Sequence, residues 1–235
     1  MRRADFYRFL ARAFKKEVDV AFLYIATAFQ PTVTFLSSWQ SKGELADGAR
    51  RLETLVSEIK SVKTNQQRDA LLTNLAVEYA SMFLSVGKTP VYLSESANTT
   101  ADHVNYGESY FQVKDAYNSL GFEKSKDYLE PDDHISVELD FMAELCLWTR
   151  ASLEKNDFEY AARYLKLQKE FLDDHLGKWH LKVCEGIRGT TSSTFYLALA
   201  NLTSGFLNLE LSLVPHLGTE LETLKTAKQA GPDQS

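Results

Sequence analysis

EPDDHISVELDFMAEL, Glu130–Leu145, is the stretch on which the fold turns. Pro131 suits the first turn of a helix, where its missing N–H would have had no partner. Asp132 and Asp133 then stand among free N–H groups at the positive end of the helix dipole, which favours carboxylates. Beyond them Ile135, Leu139, Met142 and Cys146 fall on one stripe, with Phe141, Leu145 and Trp148 beside it. The spacing predicts a buried helix from Glu130 to about Leu153. Glu138, one turn below His134, is placed to pair with it.

The same period recurs along the chain. Phe6, Phe9, Leu10, Ala13 and Phe14 make one helix behind an Asp5 cap, and Asp19 caps a second, which Pro31 is expected to close near Phe29. Glu44–Ile59 and Gln67–Leu84 carry two more. Ser85–Tyr106, with Gly87, Pro90 and a Ser/Thr/Asn cluster, is a loop, and its length marks it as functional or disordered. Helix resumes over Glu108–Leu120 until Gly121. Asp157–Leu176, a shorter piece around Lys178–Ile187, and a long apolar helix over Thr191–Leu213 complete the set, with Pro215 expected to end the last. No strand pair and no internal repeat is evident. The class is all-α: one compact multi-helix bundle over 1–220, with room for two lobes, a hinge at 121–131 and a flexible tail over 221–235.

Of the 235 residues, 44% are hydrophobic and 25% charged, a globular composition. The net charge of −6 argues against nucleic acid as a partner, since a phosphate backbone calls for a cationic surface. It suits a basic partner. Cys146 and Cys184 form no CxxC pair and fall in apolar helical patterns, as free thiols of a reducing compartment do. Arg2-Arg3 invites an export-signal reading, but charges from Arg8 to Asp19 break up the apolar run that such a signal requires. Neither Val20–Phe29 nor Leu197–Val214 offers the roughly 20 apolar residues of a membrane span. The expectation is a cytoplasmic protein without membrane insertion.

Chemistry is sparse. Helical di-metal sites use Glu-x-x-His, yet Thr100, Pro131, Leu172, Gly177 and Leu213 stand three residues before the five histidines. No metal site is expected. No serine or cysteine sits in a nucleophile setting, so no catalytic residue is assigned. An Asp133/His134 acid–base pair in a small hydrolase-type enzyme is one alternative, and a generic helical adaptor another. Opposed effects on His134, a helix N-terminus against a nearby Asp133 or Glu138, leave its charge near neutral pH open.

Glu130-Pro131-Asp132-Asp133-His134-Ile135 followed by Glu138-Leu139-Asp140-Phe141-Met142 resembles the E-P-x-D-H-I…E-L-x-F-M signature of the TorD/DmsD/NarJ family, the cytoplasmic redox-enzyme maturation chaperones. Tyr79-Ala80-Ser81-Met82-Phe83 with Gly87, Pro90, Glu95 and Ser96 is similar to its Y-x-x-L-F…G…P…E-S segment, with Met82 in place of leucine and no second proline before Glu95. Phe171-Leu172-Asp173-Asp174-His175-Leu176-Gly177-Lys178-Trp179 resembles its F-L-x-x-H-L-x-x-W helix, and Phe195-Tyr196 with Ala198-Leu199-Ala200 the start of its last one. The resemblance implies a TorD-like helical fold and a binding protein, not an enzyme. Its partner would be a molybdenum-cofactor oxidoreductase, held through its twin-arginine leader until the cofactor, carried by the client alone, is inserted. It implies a monomer or a domain-swapped dimer. Carried over by position, it assigns client binding to Asp133 and His134, then Pro131 and Glu130, then Glu95 and Ser96, with Asp133 and Glu95 pairing with the leader's arginines. Glu138 joins as His134's partner. Tyr79 and Phe83, like His175 and Trp179, either face the groove or fill the core.

Overall fold

A computed structural model describes residues 3–38, 42–84 and 89–229; Arg2, Gly87 and the end of the expected tail lie outside them. In chain order the helices are α1 (Arg3–Lys15), α2 (Val20–Ser37), α3 (Glu44–Ser61), α4 (Asn65–Phe83), a short α5 (Glu95–Thr99), α6 (Glu108–Asn118), α7 (Ile135–Glu154), α8 (Phe158–Phe171), α9 (Gly177–Thr190) and α10 (Thr194–Gln229). A π-helical turn, Leu172–Leu176, joins α8 to α9 without a break. Among the described residues there is no strand, only an isolated antiparallel bridge between Ser94 and His134. The all-α reading holds.

Local signals explain most boundaries. Asp19 accepts the Phe22 N–H at 2.8 Å, capping α2. Thr64 and Gln67 form a reciprocal capping box at the start of α4. Gly121 takes φ +67° just beyond α6, a left-handed turn that glycine adopts without steric cost.

Two prolines do not do what was expected of them. α2 continues through Pro31 to Ser37, and α10 continues through Pro215 to Gln229. A helical proline forfeits one hydrogen bond and crowds the preceding turn. In α2 that loss is offset downstream, where Val33 is buried and Thr34 Oγ1 bonds Glu53 of α3 at 2.6 Å. In α10, Leu221 reaches a small second core with Ala161 and Leu165 of α8. By length and composition α2 and α10 each pass the test for a membrane-crossing helix, α10 being the more buried of the two.

The main core is built by α1 on α7 and by α10 on α3, with α8 and α9 closing it. Phe6 stacks on Phe206 at 4.1 Å between centroids. The α3–α10 crossing is tight because it is lined by glycines: a Cβ on Gly205 would fall 2.4 Å from the Leu45 nitrogen. Arg3 and Glu210 link the two ends of the chain. The Arg3 Nε donates to the fully buried Glu210 carboxylate at 2.8 Å, and Tyr7 Oη donates to it at 2.9 Å. Glu210, which breaks the apolar run of the last helix, is thus a core residue with its countercharge.

Candidate functional site

The Glu130 stretch is where the structure departs most from expectation. α7 starts at Ile135, and Glu130–Asp133 form a turn outside it. His134 is the N-cap: its Nδ1 accepts the Ser136 N–H at 3.1 Å. Pro131 is therefore not in a first helical turn, and Asp132 and Asp133 do not cap their own helix. They are spent elsewhere. Tyr110 Oη donates to Asp132 at 2.9 Å. The Asp133 Oδ2 accepts the Ser96 N–H at 2.7 Å, capping the first turn of α5, whose own N-cap residue Ser94 makes no side-chain cap bond.

The main chain ties the same two segments together. Glu95 N–H donates to Asp133 O at 2.9 Å and Ile135 N–H to Leu93 O at 2.7 Å. The long loop is thereby strapped across the entrance of α7. Glu95 of the strap and Glu138 of α7 are turned inward. Glu95 is 3% exposed and its carboxylate meets His175 Nδ1 at 3.0 Å. Glu138 is fully buried and accepts the Trp179 Nε1–H at 3.2 Å. The π turn contributes here, since its extra residue per turn shifts the register between His175 and the helices on either side.

Electrostatics follow from this burial. Glu138 is pushed well above the usual carboxylate range, first by burial and then by the Glu95 and Asp133 carboxylates. Burial thus favours its neutral form, and among the described residues no hydrogen bond or ion pair joins it to His134. Burial also raises Asp133, against the pull of its Ser96 bonds. His134 is pushed down to about 3, by burial first and then by Lys124 and Lys15. Its charge near neutral pH is not in balance: the ring is neutral. Asp133 and His134 bond different partners, so the acid–base pair of the enzyme alternative is not formed. Among the described residues no group of three or more His, Cys, Asp or Glu side chains is arranged to hold a metal ion.

In front of this network lies a cavity of about 200 Å³. Tyr79 and Phe83 of α4, Pro90 and Leu93 of the loop, and Glu130 and His134 of the turn line it, with Pro131 beside them. Tyr79 is both wall and core, for its hydroxyl donates to Phe14 O at 3.1 Å. Glu130 is exposed, and among the described residues its carboxylate has no hydrogen bond or ion pair. The sequence-predicted residues thus divide. Tyr79, Glu130, Pro131 and His134 converge on the cavity, whereas Asp133, Glu95, Ser96 and Glu138 form the buried frame behind it. Asp133 and Glu95, expected to meet a partner's arginines, are not presented to solvent.

Some residues of the site escape sequence reasoning. Tyr128 reaches His134 Nδ1 at 3.1 Å, and Ser136 Oγ lies 2.9 Å from it. Asn105 and Tyr92 line the cavity mouth, where Tyr92 stacks on His103 at 4.4 Å. Only the position of Ser136, two residues beyond a capping residue, carries a local signal.

Four of the predicted residues meet at one cavity, and comparison with known proteins identifies the family. The family model for the nitrate reductase delta subunit matches residues 42–185. The chain belongs to this family, the TorD/NarJ maturation chaperones. It is similar to the chaperone protein TorD of Shewanella piezotolerans, 25% identical over 217 residues that cover 89% of this chain and 90% of the relative. TorD of Vibrio cholerae serotype O1 (strain El Tor Inaba N16961) is 26% identical over 225 residues, covering 93% and 94%. TorD of Photobacterium profundum is 29% identical over 196, covering 80% and 82%. The matched region of this TorD/NarJ-family chain begins ahead of α3 and includes α4, the strap, the cavity and the π turn. These relatives are chaperones by name.

Proposed function

We propose that this chain binds the twin-arginine leader of a molybdenum-cofactor oxidoreductase and holds that apo-enzyme in the cytoplasm until its cofactor is in place. The cavity in front of α7 receives the leader. Glu130, unpaired on the rim, is the carboxylate that takes one arginine, because a guanidinium fork bonds both carboxylate oxygens. Tyr79 and Phe83 offer aromatic wall to the rest of that side chain. The buried frame of Asp133, Glu95, Ser96 and Glu138 keeps the cavity in shape and does not touch the ligand.

What carries the reading is the meeting of Tyr79, Phe83, Pro90, Glu130, Pro131 and His134, drawn from separate stretches of the family motif, on one cavity. The net charge of −6 suits a basic ligand. The client alone carries the molybdenum cofactor on this reading. Calorimetry with a twin-arginine leader peptide tests it. Glu130→Gln is expected to weaken binding about tenfold, the order of one charge-assisted hydrogen bond. Equal affinity of wild type and variant removes Glu130 from the site, and no binding to either ends the proposal.

A further inference from the structure

We infer that His134 is a permanently neutral hydrogen-bond donor, through which the cavity reads a main-chain carbonyl of the bound segment beside its cation. The inference rests on the leader-binding reading for the identity of the segment, and on the geometry of the imidazole for the rest.

Nδ1 decides the tautomer. The Ser136 main-chain N–H approaches it at 3.1 Å, and a backbone N–H only donates. Nδ1 therefore carries a lone pair, and the ring proton sits on Nε2. Protonating Nδ1 as well would break the bond that caps α7 and place a cation at the positive end of a helix. The charged groups around the ring do not compensate. Lys15 of α1 lies over the Tyr128 ring at 4.9 Å, and both it and Lys124 disfavour a charged imidazole. Of the carboxylates, Asp132 is held by Tyr110, Asp133 by Ser96, and Glu130 stands on the rim. Tyr79 directs its hydroxyl to Phe14 O.

Nε2 is nearly unspent. Among the described residues its one hydrogen-bond contact is Tyr128 Oη at 3.5 Å, beyond the length of an ordinary hydrogen bond. His134 lines the cavity, and on this inference its Nε2–H is the donor that meets an occupant there. An arginine or lysine side chain cannot accept it, because both carry donors only. A segment that sets a cation against Glu130 must bring an acceptor to His134, and the acceptor every polypeptide has at a fixed distance is its carbonyl. A cation without a peptide satisfies only half of the site.

Two measurements on the full chain test this. Long-range proton–nitrogen NMR on histidine-labelled protein is expected to show His134 as the Nε2–H tautomer, without titration from pH 5 to 8. Calorimetry is expected to show His134→Leu weakening the leader peptide about tenfold, by the same factor at pH 5.5 and pH 7.5, and guanidinium alone not competing at matched concentration. His134→Asn, which keeps a capping acceptor and a donor, is expected to recover part of the loss. An Nδ1–H tautomer, titration within that range, or equal peptide affinity for His134→Leu overturns the inference while the leader reading stands. A peptide that fails to bind wild type while the Nε2–H tautomer persists overturns the leader reading and the carbonyl assignment together.

Discussion

Asp133 separates a ligand-binding carboxylate from a structural one, and two substitutions tell them apart. In the structure its Oδ2 accepts the Ser96 N–H at 2.7 Å, while its Oδ1 has no hydrogen-bond partner among the described residues. Asp133→Asn keeps an acceptor for Ser96 and removes a charge that burial already disfavours. The weaker neutral bond and the relieved desolvation oppose each other, so the net change is expected to stay within about 1 kcal/mol. Asp133→Ala leaves the buried Ser96 N–H without a partner, which costs about 1–3 kcal/mol, while the main-chain bonds of Glu95 and Ile135 still hold the strap across α7. Urea unfolding followed by circular dichroism reads both numbers. Leader calorimetry supplies the second axis. With Asp133 in the frame, the Asn variant binds the leader within about twofold of wild type, and the Ala variant loses affinity in step with its stability. A direct ion pair with the leader gives the reverse pattern. Asp133→Asn would then abolish binding with stability untouched, and that result refutes the frame assignment.

Further expectations concern the fold that supports the site. The depressed His134 stabilises the folded state fully above the unfolded value near 6.5, and that contribution is lost as pH falls toward about 3. Between pH 7 and pH 5 wild type is expected to lose about 2 kcal/mol relative to His134→Asn; a pH-independent difference between the two unfolding curves would contradict the buried neutral ring. Gly205→Ala places a Cβ 2.4 Å from the Leu45 nitrogen, against backbone that cannot give way locally. It is expected to destabilise by about 1–3 kcal/mol despite the better helix propensity of alanine, and a stabilised variant in thermal unfolding would show the α3–α10 crossing to be looser. Arg3→Ala strands the buried Glu210 carboxylate, with a loss of about 3–5 kcal/mol expected in urea and a partial recovery in the Arg3→Ala/Glu210→Gln double variant. Additive losses in that cycle would mean that the pair is not coupled.

Helical periodicity and caps made most of the architecture legible, because both are local: a stripe, an Asp19 or Thr64 ahead of it and a Gly121 behind it are read within a few residues. Pro31 and Pro215 misled for a matching reason. The local cost of a proline is real, but the gain that outweighs it comes from α3 and α8, far away along the chain. The motif residues of the site were likewise legible, and their roles were not.

By itself the sequence determined an all-α chain, an acidic character, and which short segments bear the family signature. Only the tertiary structure decided what each carboxylate faces. A cap is written in the chain as an oxygen near a run of free N–H groups, and nothing local says whose N–H it will meet. Asp133 caps α5 and not its own helix, while His134 takes the cap of α7. Glu95 and Glu138 turn inward to His175 and Trp179, and Glu130 is left outside. Burial and partner are properties of packing, so the division of one acidic motif into frame and rim appears only once the strap lies across α7.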